Sequence, residues 1–138
     1  MFDVIPELNW LAILLSTGVL AVLGGIYFGA LVPRQYVAVL GRQDLPAPEP
    51  GLVTYAGPVA CMFVVVVTNA VLMAALGVES IGDALAFGAI VGVGYLVAMA
   101  FNIAINPSFP RPFAYGLLNT PYFLGGSLIS CAILEVVG

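Results

Sequence analysis

Four long stretches of this chain carry no charge, and they leave little choice of fold. No Asp, Glu, Lys or Arg occurs in residues 8–33, 50–78, 84–110 or 112–134, stretches of 26, 29, 27 and 23 residues. A helix crossing the hydrocarbon of a bilayer needs about 20 mostly apolar residues, so each stretch is long enough to span. Composition removes the soluble alternative: 62% of the 138 residues are hydrophobic and 7% charged, against about a quarter charged in soluble domains. A water-soluble fold of this size would lack the polar surface to stay dissolved. The expectation is an all-α polytopic membrane protein, a four-transmembrane-helix bundle with short loops. It forms a single domain over 1–138, with spans at approximately 9–32, 52–77, 82–106 and 113–136.

The few charges thread the chain. With four spans, both termini share one side and the connections 34–49 and 107–111 lie on the other. Arg34, Arg42 and Arg111 are all the positive charges, and they fall on those two connections. Lys and Arg favour cytoplasmic loops, which puts these connections inside. Both termini and the "VESIGD" turn at 78–83 are then outside. The opening "MFDVIPELNW" has Asp3 and Glu7 where a secretory signal needs positive charge, so span one is expected to stay in the mature protein. Asn9 and Trp10 fall at the outer interface, where an amphipathic indole is usual. Tyr27, Phe28, Tyr36, Phe109, Phe113 and Tyr115 gather near the inner one. The first inner connection begins "RQYVAVLGRQ", read either as a short interfacial helix ended by Gly41 or as an irregular loop. The "DLPAPEPG" after it is extended and cannot continue a helix.

Several chemistries are excluded by what is missing. With no lysine, no histidine and three arginines, nucleic-acid binding has no electrostatic footprint. The absence of histidine removes Cys–His and Ser–His pairs and the usual haem ligand, and no closely spaced carboxylates or metal-ligand cluster occur. No catalytic residue, metal or cofactor is expected, and the chain does not read as an enzyme. Cys61 and Cys131 differ in depth by about 15 Å if their spans run the same way. That is too far for a disulfide, so both read as buried apolar thiols.

The helix faces carry the remaining information. In lipid, helices meet through small residues and interhelical hydrogen bonds. Span three offers Gly88, Gly92, Tyr95, Met99, Asn102 and Asn106, spaced alternately four and three on one stripe. Span four offers Tyr115, Asn119, Tyr122, Gly126 and Ser130. The two stripes are expected to face one another or a shared interior, with Asn102 near Asn119. Span two adds Tyr55, Met62 and Asn69 at heptad spacing, and span one a G-x-x-x-G at Gly25 and Gly29. Pro121 removes a backbone donor inside span four, making it a candidate hinge or a static kink. Asn69, Tyr95, Asn102, Asn106, Asn119 and Tyr122 are thus the candidates for polar packing or for lining a solute path. Intramembrane charge is the usual mark of coupled transport, and none lies near the middle of a span. Asp83, Glu135 and Arg111 sit at span ends. Arg111 is the candidate contact for a lipid headgroup, with Asn106 and Ser108 as further donors.

With these motifs in place, the chain resembles the bacterial membrane family called domain of unknown function 1761. The likeness rests on Asn9-Trp10 in "LNWLAILL" and the glycine-then-aromatic "LGGIYFGAL" ending span one. It continues with Asn102, the Arg111-Pro112 step, and Asn119 with Tyr122 before a small-residue stretch and "AIL". The chain departs from the pattern in having "YF" where an aromatic pair with tryptophan is common, and in its proline-rich first connection. The resemblance implies a four-helix membrane fold, in a bacterial inner membrane, and no assigned activity. The functional expectation is an accessory or structural subunit, partnered by the lipid bilayer and by other membrane chains or copies of itself. The alternative is a small channel or carrier for a neutral or lipid-like solute.

Overall fold

A computed structural model of the chain describes residues 3–138. Four helices are long and apolar enough to cross a bilayer: span one Trp10–Leu31, span two Leu52–Leu76, span three Ile81–Ala104 and span four Pro112–Val137. Among the described residues there is no strand, and the all-α four-helix membrane fold is the one the chain adopts. At about 1.5 Å per residue the spans are about 33–39 Å long, enough for a hydrocarbon layer of about 30 Å.

Local chemistry sets the helix ends. Asn9 caps span one, its side-chain oxygen accepting from the Ala12 amide at 3.1 Å. Its amide nitrogen donates to the Val137 carbonyl at 2.9 Å, which ties the start of span one to the end of span four. Ser80 caps span three by accepting from the Asp83 amide at 3.1 Å, and its hydroxyl donates to the Asp83 carboxylate at 2.8 Å. Gly77, with φ of 68°, ends span two in the left-handed conformation that favours glycine. Pro112 opens span four, at a position where a missing N–H has no partner to lose.

The two longer connections meet at the opposite end, the loop end. Of the two readings of the first connection, the helix is the one that forms, over Pro33–Val39. Gly41 follows with φ of 65°, and a Cβ there would lie 2.9 Å from Pro110 Cγ. Residues 42–51 are then exposed throughout and contain no helix.

Span four is the centre of the bundle. Spans one and three pack along it, and span two packs mainly on span one. Span two buries only Val66, Asn69, Ala70 and Met73, all in its second half. Residues 52–61, which include Pro58, are exposed apart from the half-buried Gly57, so Cys61, expected to be buried like Cys131, lies instead on the outer surface of span two. The core gathers at the terminal end, where Ile13, Leu20, Val66, Met73, Ala84 and Cys131 meet.

Span three departs from the expected pattern. Its middle, Gly92–Val97, is a π-helical turn, one residue wider than an α turn. The buried positions are Ala84, Gly88, Gly92, Ala100 and Ala104, with Leu96 half-buried, a spacing of four throughout. On an ideal α-helix such a spacing drifts by about 40° per step, and the wide turn takes up part of that drift. It also turns the second half of the alternating stripe outward. Gly88 and Gly92 face span four as expected, whereas Tyr95, Met99, Asn102 and Asn106 are exposed. Span four, by contrast, runs as one helix through Pro121.

Candidate functional site

The polar chemistry of the molecule lies along span four, and the residue types of that helix explain why. Its terminal half presents Gly126, Ser127, Ser130 and Cys131 on the buried face, side chains small enough for neighbouring backbones to come close. Ser127 donates to the Gly88 carbonyl of span three at 2.8 Å. Ser16 of span one donates to the Ser130 carbonyl at 3.5 Å. The Asn69 amide of span two reaches Cys131 Sγ at 3.7 Å. Each of the other three spans is therefore joined to span four by a side-chain hydrogen bond at the level of residues 127–131. The backbones of spans three and four touch here: a Cβ on Gly88 would lie 3.0 Å from the Ser127 carbonyl oxygen and 3.2 Å from Leu128 Cα.

Toward the loop end the seam becomes aromatic. Tyr27 donates to the Leu118 carbonyl at 2.7 Å, and Tyr122 donates to the Leu20 carbonyl at 2.9 Å. Spans one and four thus exchange tyrosines, and the two rings stack with centroids 6.3 Å apart. Gly24 makes room for this, because a Cβ there would lie 2.8 Å from the Tyr122 hydroxyl. Phe28 meets Tyr27 and Tyr122 edge-on at 5.0 and 5.2 Å. Tyr36 of the short helix packs on Phe28 and Tyr115. Burial in this cluster, and then the neighbouring Tyr115 hydroxyl, push the Tyr36 phenol up to about 12.

The candidate residues divide into two groups. Asn69, Asn119 and Tyr122 lie on the seam. Asn119 is buried, but its amide donates to the Tyr115 carbonyl of its own helix at 2.8 Å. Thr120 does the same to the Gly116 carbonyl at 2.8 Å. These two side chains and the Tyr27 hydroxyl take up carbonyls next to Pro121, whose own missing N–H leaves the Leu117 carbonyl without its usual donor. Tyr95, Asn102 and Asn106 lie off the seam. Asn102 donates to Met99 Sδ at 3.6 Å and not to Asn119, so the expected pairing of the two amides does not form. Phe101 takes that place, its ring 2.5 Å from where a Cβ on Gly116 would be. Asn106 closes the turn between spans three and four by accepting from the Ser108 amide at 2.8 Å. Arg111 is exposed at the start of span four.

Sequence reasoning overlooked Ser16, Gly24, Phe101 and Ser127. The signal for part of this was present: small residues stand four apart at Ala84, Gly88 and Gly92 and again at Ala100 and Ala104, with Leu96 between the two runs. Gly25 and Gly29, the G-x-x-x-G of span one, face open space. A groove of about 270 Å³ separates spans two and three, lined by Thr68, Asn69, Tyr95 and Leu96 among others. Among the described residues no three His, Cys, Asp or Glu side chains converge as a metal site.

The model of a family described as protein of unknown function (DUF1761) matches residues 11–135. The chain belongs to the DUF1761 family. Within that match fall all three interhelical ties at the level of residues 127–131, from Ser16 to Cys131, and both exchanged tyrosines. Asn9, the cap of span one, lies just ahead of it. No curated protein and no solved structure matches the chain.

Proposed function

We propose that this DUF1761 chain is a non-catalytic membrane subunit that packs with copies of itself or with other membrane chains. The observation that carries this reading is how its polar groups are used. Among the described residues every buried side-chain nitrogen and oxygen has a hydrogen-bond partner. The partners are carbonyls and a thiol of the bundle itself, so these buried groups serve the packing of the bundle. Purification in a mild detergent tests the reading. A mass of two or more chains, or a co-purifying membrane partner, is expected; a lone monomer with no partner counts against it.

The site of action in this proposal is a bacterial inner membrane, with both termini outside. Support comes from Arg34, Arg42 and Arg111, which all lie at the loop end, while the Asn9–Val137 tie marks the other. A cysteine introduced at Ser80 is then expected to react with an impermeant thiol reagent in intact cells. One introduced at Ala47 reacts only after permeabilisation, and the reverse pattern overturns the orientation.

One observation favours a second reading, a carrier for a neutral or lipid-like solute: the groove between spans two and three, with Asn69 and Tyr95 in its wall. Unchanged uptake of every tested solute in Asn69→Leu and Tyr95→Phe removes that reading.

A further inference from the structure

The outward face of span three differs from the other lipid-facing surfaces. Most exposed large side chains are aliphatic, such as Leu11, Leu14, Val22 and Val64. Span three turns out Tyr95, Met99 and Asn102 beside its aliphatic Ile90, Val93 and Ile103. Tyr95 is 69% exposed and lies near the middle of Ile81–Ala104. Helical side chains lean toward the helix N-terminus, which carries the hydroxyl to about the midplane, away from water at either surface. Among the described residues this hydroxyl has no hydrogen-bond partner. Thr68, another exposed mid-span hydroxyl, is satisfied by the Val64 carbonyl of its own helix at 2.8 Å; Tyr95 is not. Asn102 donates only to Met99 Sδ on its own helix. Gly94, next to Tyr95, has open space where a Cβ would be, so a second backbone can approach.

Acyl chains provide neither donor nor acceptor, and an unpaired polar group in hydrocarbon is costly. We infer that this face of span three is an interface between two copies of the chain, related by a two-fold axis along the membrane normal. The inference rests on the oligomeric reading above and names the surface that reading requires. A two-fold axis sets each residue against itself at a single depth. A phenol and an amide each hold both a donor and an acceptor, so this face is complementary to itself. The Tyr95 hydroxyls pair with each other near the midplane, and the Asn102 amides pair closer to the loop end. No charged side chain between residues 84 and 110 opposes the contact.

Oxidative cross-linking in native membranes tests this, using Met99→Cys in a Cys61→Ala background, with Cys131 left in place because it is buried. A covalent dimer is expected at Met99→Cys and none at Val22→Cys, on the outward face of span one. Tyr95→Phe is expected to weaken association about three- to tenfold, the range for one interhelical hydrogen bond, read as the monomer fraction on dilution into detergent. Absence of the cross-link, or equal cross-linking at Val22→Cys, overturns this interface. If the mass in mild detergent then remains that of two or more chains, the oligomeric reading survives and only the surface is wrong; a monomeric mass removes both. A lipid that native mass spectrometry finds on a monomeric protein, and that Tyr95→Phe releases, also overturns the proposal.

Discussion

Single glycines decide how closely these helices approach, and position alone tells which ones matter. Gly88 faces the Ser127 carbonyl and Leu128 Cα, both backbone atoms that cannot move aside. Gly88→Ala is therefore expected to destabilise the protein by about 1–3 kcal/mol, the usual cost of overpacking, seen as a lower midpoint of thermal unfolding in detergent. Gly25→Ala faces open space and is expected to leave the midpoint unchanged or slightly higher. From the sequence the two glycines look alike, since each lies in an apolar helix beside other small residues. What separates them is which face meets span four, and that depends on the register of another helix. Tyr36 makes a further prediction at this scale. Its phenol ionises at about 12 in the folded protein and near 10 when unfolded, so the fold favours the neutral form. The stability this group contributes is complete below pH 10 and is lost as pH rises through 12. A phenolate absorbance rise near pH 12 that is smaller by one tyrosine's amplitude in Tyr36→Phe is the expected signature.

At the scale of the element, the π turn of span three governs what its loop half presents to the lipid. The four charge-free stretches made the spans legible, because length and hydropathy need no knowledge of neighbours. The turn was not legible, because nothing in "GVGYLV" distinguishes six α residues from one wide turn. Packing against span four selects it, by keeping Ala100 and Ala104 on the seam. One extra residue rotates everything beyond it by about 100°, which is why Asn102 and Tyr95 left the interior that the alternating pattern assigned to them. Deleting Gly94 is expected to restore an ordinary α turn with Ala100 and Ala104 still on span four, so folded, monodisperse protein is recovered in near-normal yield. Inserting an alanine within Ala98–Ala104 turns Ala104 away from the seam instead, and a clear loss of folded protein is expected. Equal yields from both variants contradict this account of the turn.

Across the whole molecule, topology was readable and the centre was not. Three arginines and four apolar stretches fix how many times the chain crosses and which connections share an end. They do not reveal that span four is the helix to which the others attach, since its hydropathy, 1.5, is the lowest of the four for the same reason that it is the hub. Its serines, glycines, Asn119 and Thr120 lower the mean while making the contacts. A chain stopped before Pro112 loses the partners of Ser16, Tyr27, Asn69 and Gly88 together. In pulse–chase experiments it is expected to be degraded far faster than the full chain, and to be protected when span four is supplied as a separate peptide. Order of synthesis adds a consequence. Span four is the last of the four to leave the ribosome, so the first three enter the bilayer with Ser16, Tyr27 and Asn69 unpaired. Until residues 112–137 arrive, those helices have to be held by the insertion machinery or by each other, and the bundle closes in one late step.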